Sequence, residues 1–240
     1  MKREKRPPHP PAPRRSRIVF FFDVDNTLLD NDRVTADLRA FLAREVGARS
    51  ARQYWDIFER LRIELGYADY LGALQRYRLK HPREMQLLAV SRFLINYPFA
   101  NRLFPNSLDA IALVQRWGRA VLLSDGDVVF QPRKIARSGL FEAVEGHALI
   151  YVHKERELAD VRARYPADHY VLVDDKLRIL TAVKKIWGRR VTTVFVRQGH
   201  YALDPRALAA YPAADLSVER IGDLLNLDRG EFETAAPAAR

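Results

Sequence analysis

Residues 18–30 read IVFFFDVDNTLLD, and this stretch decides the fold. Its first five residues are all aromatic or β-branched, which is typical of a strand buried on both faces of a sheet. Two aspartates, Asp23 and Asp25, follow with one residue between them. If the chain stays extended there, both carboxylates point to the same side, and a proton or a cation has to relieve their repulsion. The stretch therefore predicts a buried strand that ends at an acidic site suited to a divalent metal.

Residues 31–100 carry apolar side chains at helical spacing and contain no convincing strand. The breaks between the helices are predicted at Gly47, at Gly66 and at the pair 81–82, where a proline follows a histidine. We therefore expect an all-helical unit, residues 31–100, inserted directly after the first strand.

The pattern changes after residue 100 to short apolar strands that alternate with helices. The further strands are predicted at residues 120–123, 148–152, 170–173 and 191–196. Short apolar strands separated by helices favour an α/β fold, a doubly wound parallel sheet covered on both faces. We expect the core to comprise residues 18–30 and 101–225, and residues 226–240 to form a flexible tail.

Polar residues follow the predicted strands where each one ends. They are Ser124, Asp125 and Gly126 after the second strand, Lys154 after the third, and Asp174 and Asp175 after the fourth. Ligands of open α/β sheets bind at the carboxyl ends of the strands. The convergence of carboxylates, a hydroxyl, a glycine turn and an ammonium at one edge therefore predicts a functional site.

These groups fit phosphoryl transfer. Asp23 can act as a nucleophile, while Asp25 can protonate the leaving oxygen and later activate water. Carboxylate oxygens suit Mg²⁺, which prefers hard oxygen ligands. Ser124 and the N–H groups of residues 125–126 could hold phosphate oxygens, and Lys154 would neutralise the charge that develops on the transferred group.

The chain resembles the haloacid dehalogenase-like hydrolases, whose first motif is D-x-D-x-T directly after a buried strand. That motif is present at residues 23–27, and Ser124, Lys154 and the acidic pair 174–175 match the other three motifs in order. The resemblance covers roughly residues 17–200. It implies a Rossmann-like core, a helical cap inserted after the first motif, and a Mg²⁺-dependent phosphatase acting on a small phosphorylated metabolite.

The resemblance also implies roles for individual residues. Asp23 would be the nucleophile and a metal ligand, and Asp25 the general acid/base, with its backbone carbonyl also on Mg²⁺. Asp174 or Asp175 would complete the metal shell, and Asp175 occupies the usual ligand position. Two positions depart from the common pattern: Asn26 replaces a glycine, and a lysine stands at position 176 where a small residue is frequent.

The net charge of +10 is concentrated at one end of the chain. Seven of the 40 basic residues and one of the 30 acidic residues lie in residues 1–17, together with five prolines. This composition predicts a disordered basic arm, for which non-specific contact with nucleic acid is the most that we expect. The chain has no cysteine, which excludes disulfides, thiolate zinc sites and cysteine nucleophiles. No stretch is long and apolar enough for a membrane span, and we expect a cytoplasmic monomer or homodimer.

Other functions remain open at this point. A phosphomutase or phosphotransferase would use the same intermediate and pass its phosphoryl group to a second substrate. A dehalogenase needs no acid for an oxygen leaving group, so Asp25 argues against it. A binding protein could keep the fold and use the basic arm on an anionic partner.

Overall fold

Six parallel strands form the sheet of the computed structural model, which describes residues 16–83 and 86–233. The strands are β1 (Ser16–Phe22), β2 (Arg119–Asp125), β3 (Ala148–Tyr151), β4 (Ala167–Asp174), β5 (Val191–Val196) and β6 (Leu216–Val218). They lie in the order β3-β2-β1-β4-β5-β6, and each neighbouring pair is parallel. The direction of winding reverses between β1 and β4, so the carboxyl ends of these two strands flank the topological switch point.

The apolar run of β1 is buried on both faces of the sheet, as its composition predicts. Ile18, Phe20 and Phe22 belong to the core on one face, and Val19 and Phe21 to the core on the other. All five side chains are at most 1% exposed. Successive side chains of a strand point to opposite faces, so a strand at the centre of a covered sheet needs an apolar residue at every position.

Helices cover both faces of the sheet. They are α1 (Asn31–Glu45), α2 (Gly47–Leu65), α3 (Tyr70–Lys80), α4 (Leu87–Asn96), α5 (Ser107–Gln115), α6 (Phe130–Ser138), α7 (Leu140–Ala143), α8 (Leu158–Arg164), α9 (Leu177–Trp187), α10 (Gly199–Ala202), α11 (Pro205–Ala210) and α12 (Arg229–Glu233). Helices α5 and α6 pack on one face, and α8 and α9 on the other. The doubly wound α/β class predicted from the sequence is confirmed.

The stretch between β1 and α5 is helical, as the spacing of its apolar residues predicts. Helices α1–α4, here called the helical block, pack around aromatic side chains, among them Trp55 and Phe58, whose ring centroids are 5.1 Å apart. Tyr70 of α3 reaches Phe130 of α6, with 5.1 Å between ring centroids. The block therefore shares one apolar core with the α5–α6 face of the sheet.

The described chain departs from the expected boundaries at both of its ends. Residues 1–15 of the expected arm lie outside the described residues, whereas positions 16 and 17 already belong to β1. Residues 229–233, expected to be part of a flexible tail, form α12, because Phe232 is fully buried against Phe20 and Trp117. Within the described ranges, no helix is both long and apolar enough to cross a membrane.

Candidate active site

The turn after β1 presents the first aspartate of the motif at the switch point. The Asp23 N–H donates to the Val173 carbonyl of β4 at 2.9 Å, and the Asp23 side chain is 2% exposed. Asn26 follows with φ of 63°, a left-handed conformation that glycine and asparagine adopt more readily than other residues. Its side-chain oxygen accepts hydrogen bonds from the N–H groups of Asn31 and Asp32, which ties the turn to the start of α1.

Lys154 joins two of the predicted site carboxylates. Its ammonium lies 2.5 Å from Asp23 Oδ1 and 2.7 Å from Asp174 Oδ2, and it also donates to the Leu123 carbonyl at 3.1 Å. Burial by itself would lower the pKa of Lys154. The attraction of Asp174 and Asp23 outweighs that burial, so the net pKa is raised and the side chain stays an ammonium.

Asp175 is buried, and neither of its carboxylate oxygens accepts a hydrogen bond from the part of the chain that the structure describes. The nearest cation, the Lys176 ammonium, is 4.0 Å from Oδ1. Burial raises the pKa of Asp175 well above its usual range. One ligand oxygen from each of Asp23, Asp174 and Asp175 lies within 4.8 Å of the others. Hard carboxylate oxygens, among them the two Asp175 oxygens that accept no hydrogen bond from a described residue, fit the donor set that Mg²⁺ prefers.

The Asp25 side chain is paired with a lysine that the sequence did not single out. Lys134 of α6 donates to Asp25 Oδ1 at 2.6 Å and to Asn31 Oδ1 at 2.9 Å, and its side chain is 1% exposed. A signal for it does exist in the sequence. The buried face of α6 consists of Phe130, Gln131, Lys134, Ile135 and Ser138, so two long polar residues lie at positions where helical spacing predicts apolar ones.

The residues predicted to bind phosphate lie at the ends of β2 and β3. Ser124 Oγ accepts a hydrogen bond from Gln131 Nε2 at 2.8 Å. Asp125 Oδ1 accepts from the Lys154 N–H at 2.7 Å, and burial raises the pKa of Asp125. The Gly126 N–H donates to the Tyr151 carbonyl at 2.9 Å. That N–H is therefore engaged by the protein itself, and the Ser124 and Lys154 side chains are each 1% exposed.

A cavity of about 960 Å³ lies between the helical block and the carboxyl edge of the sheet. Asp25, Asp125, Lys134 and Lys176 line it from the sheet side. The helical block contributes aromatic and cationic side chains, namely Arg39, Phe58, Arg62, Tyr67 and Tyr70. The volume exceeds that of a phosphate group many times over, so the cavity has room for the organic part of a substrate.

Two polar contacts connect the helical block to α10 across the edge of this cavity. Arg62 donates to the Tyr201 hydroxyl at 3.0 Å. The His200 N–H donates to Asp32 Oδ2 at 2.8 Å, and the imidazole Nδ1 lies 2.5 Å from Asp32 Oδ1. His200 is exposed and belongs to the lining of the cavity.

One solved structure is close to this chain in sequence. It is a protein from Burkholderia xenovorans LB400 that is assigned to the haloacid dehalogenase-like hydrolases, and its sequence identity is 64%. The match covers 88% of this chain and 98% of that chain, with a TM-score of 0.85.

More distant structures share the fold. L-2-haloacid dehalogenase from Xanthobacter autotrophicus is 20% identical over 88% of this chain and 98% of that chain, with a TM-score of 0.57. A hydrolase from Bacillus subtilis, solved with bound magnesium, is 17% identical over 89% of this chain and 98% of that chain, with a TM-score of 0.59. No protein-family model and no curated protein matches the sequence.

Proposed function

This chain belongs to the haloacid dehalogenase-like hydrolases, and on that premise we propose that it is a Mg²⁺-dependent phosphatase of small phosphorylated metabolites. The observation that carries the proposal is Asp25. Its side chain lines the cavity two residues from the buried Asp23, so an acid is available beside the nucleophile. An oxygen leaving group needs such a proton donor, whereas a halide does not.

In the proposed reaction, an Asp23 oxygen attacks phosphorus and the bond from phosphorus to the leaving oxygen breaks, while Asp25 gives a proton to that oxygen. Asp25 then takes a proton from the water that attacks the aspartyl-phosphate, and phosphate and free Asp23 result. Lys154, 2.5 Å from Asp23, balances the negative charge of the transferring group. Ser124 would donate to a phosphate oxygen.

The proposed metal ligands are Asp23, Asp175 and the backbone carbonyl of Asp25. Asp175 is favoured over Asp174 because Asp174 Oδ1 accepts from the Lys176 N–H at 2.8 Å and its Oδ2 lies 2.7 Å from the Lys154 ammonium, whereas neither oxygen of Asp175 accepts a hydrogen bond from a described residue. Bound Mg²⁺ would neutralise negative charge on the carboxylates and on the substrate phosphate. The B. subtilis relative with bound magnesium supports this choice of metal through its shared fold.

Hydrolysis of p-nitrophenyl phosphate tests the proposal. We expect release of p-nitrophenol that requires Mg²⁺, stops on addition of EDTA, and falls by about 10³-fold or more in Asp23→Asn. Lys185→Met, which changes an exposed lysine on α9, is the matched control and should retain full activity. Retained activity in Asp23→Asn would overturn the assignment of the nucleophile.

A dehalogenase is the second candidate, because a haloacid dehalogenase shares this fold. Chloride release from L-2-chloropropionate distinguishes the two. We expect the unsubstituted protein to release no more chloride than the Asp23→Asn variant. Chloride release without Mg²⁺ and without phosphatase activity would replace the phosphatase proposal.

A further inference from the structure

We propose that Lys134 is a positioning residue for Asp25: its ammonium holds the Asp25 carboxyl group in the orientation that serves the leaving oxygen. The inference rests on the proposed phosphatase function, and it adds to that function a residue from α6 that lies outside the four sequence motifs.

The geometry around Asp25 gives Lys134 this role. Lys134 Nζ lies 2.6 Å from Asp25 Oδ1, and within the described ranges no other side chain donates a hydrogen bond to this carboxylate. The Asp25 side chain is 22% exposed and faces the cavity, so packing alone does not fix its rotamer. Oδ1 is taken by the ammonium, which leaves Oδ2 as the oxygen that can exchange a proton with the substrate.

Lys134 itself is held firmly. Its second hydrogen bond goes to Asn31 Oδ1 at the first residue of α1, and the Phe130 ring centroid lies 5.2 Å from Nζ. The Asn31 amide in turn donates to the Tyr70 hydroxyl at 3.4 Å, and that hydroxyl lies 2.8 Å from Thr35 Oγ1. The ammonium is therefore fixed by α1 and α3 of the helical block as well as by its own helix.

The burial of Lys134 indicates a function beyond stability. An ammonium that is 1% exposed has lost its hydration, and the attraction of one partly exposed carboxylate only partly offsets that cost. An apolar residue at position 134 would pack against the neighbouring Phe130 and Ile135 equally well. A misplaced catalytic group, in contrast, can slow a reaction by roughly 10²-fold, so fixing the Asp25 rotamer is a sufficient reason for a buried lysine.

Two aryl phosphates of similar shape separate positioning of the acid from general damage to the site. Phenyl phosphate has a more basic leaving oxygen than p-nitrophenyl phosphate and therefore depends more on a proton donor. The quantity compared is kcat/KM, because it reports the step in which the leaving group departs. We expect Lys134→Met to lower kcat/KM by about 10²-fold for phenyl phosphate and by less than about tenfold for p-nitrophenyl phosphate.

Three further variants make the result decisive. Asp25→Asn should also lower kcat/KM more for phenyl phosphate than for p-nitrophenyl phosphate, with larger losses than Lys134→Met. Lys185→Met should leave kcat/KM unchanged for both substrates. Asn31→Ala removes one of the two hydrogen bonds of Lys134 and leaves the ion pair, so it should give the same ranking with smaller losses. This variant also carries the test if Lys134→Met does not fold.

The outcomes separate this inference from the function on which it rests. Equal losses of kcat/KM on both substrates in Lys134→Met would overturn the positioning role and leave the phosphatase proposal intact. If Lys134→Met does not fold, equal losses in Asn31→Ala would have the same meaning. If the unsubstituted enzyme hydrolyses neither phosphate in the presence of Mg²⁺, the proposed function fails and the inference fails with it.

Discussion

Asp175 shows how a single residue can oppose folding while serving a site. Its carboxylate is fully buried and has no hydrogen-bond partner among residues 16–83 and 86–233, a condition that costs about 1–3 kcal/mol for an ordinary polar group and more for a charged one. The neighbouring Asp174 differs, because Lys154 lies 2.7 Å from its Oδ2. The unfavourable contribution to the free energy of folding therefore comes from Asp175, and a bound cation would remove it.

The stability of the metal-free protein should therefore depend on pH through Asp175. Burial raises the pKa of Asp175 in the folded state, so between about pH 4 and that raised pKa the unfolded chain binds fewer protons than the folded one. The free energy of unfolding should then fall as pH rises, by up to about 1.4 kcal/mol per pH unit. Urea unfolding in EDTA at pH 5, 6 and 7 measures this slope.

Asp175→Asn provides the comparison for that experiment. Burial also raises the pKa of Asp174 and Asp125 and lowers the pKa of His147 and His169, and all four groups are present in both proteins. The difference between the two slopes therefore reports Asp175 together with its effect on the adjacent Asp174. Mg²⁺ at about 100 times its dissociation constant should add about 2.7 kcal/mol to the unsubstituted protein and much less to Asp175→Asn. Identical slopes and identical Mg²⁺ effects would contradict the account.

At the scale of elements, α1 begins directly at the turn that carries the motif. Asp30 Oδ1 accepts from the Arg33 N–H at 2.8 Å as the N-cap, and Asn26 Oδ1 accepts from the two preceding N–H groups of the helix, those of Asn31 and Asp32. The start of the helix and the turn at residues 23–27 therefore stabilise each other.

Substitution of Asn26 should separate its two contributions. Asn26→Gly loses the hydrogen bonds to α1, but glycine adopts φ of 63° without strain. Asn26→Ala loses the same hydrogen bonds and is also strained at this φ. Asn26→Ala should therefore be less stable than Asn26→Gly by about 1 kcal/mol, measured by urea unfolding. Equal stabilities would mean that the left-handed conformation relaxes in the alanine variant.

The sequence predicts the elements that have a strong pattern. The strands β1–β5 are recognised as short apolar runs. The helical block and α9 are recognised as helical repeats of apolar residues whose ends are marked by glycine or proline. The strand β6 has three residues and α12 has five, too few for a period to be seen; β6 is held by its pairing with β5, and α12 by the contacts of Phe232. Lys134 was missed because a lysine in a helix normally indicates the solvated face.

At the scale of the molecule, the two sides of the cavity are linked by Arg62–Tyr201 and Asp32–His200. These contacts join α2 and α1 of the helical block to α10 of the core. We expect this link to restrain opening of the cavity, which would give a substrate access to the buried carboxylates of Asp23, Asp174 and Asp175.

Tyr201→Phe should loosen this link without altering the site. It removes the hydroxyl that accepts from Arg62 and keeps the ring that lies 5.1 Å from the Lys176 ammonium. The loss of about 1 kcal/mol should raise amide hydrogen exchange in α10 and in the last turn of α2 about fivefold, with β1 unchanged. Tyr211→Phe is the matched control, since this tyrosine also lines the cavity and its hydroxyl bonds to no described residue. Similar exchange in the two variants would show that the link does not restrain the cavity.

The contact between Phe20 and Phe232, 5.4 Å between ring centroids, has a consequence for how the protein is made. The strand β1, which leads to the proposed nucleophile Asp23, is synthesised before the rest of the described sheet, yet one face of it is covered by a residue added more than 200 positions later. Its sheet neighbours β2 and β4 also emerge from the ribosome long after it. Contacts of such sequence separation slow folding and leave an apolar strand exposed in the meantime. We therefore expect the nascent chain to depend on chaperones until residue 232 has been translated.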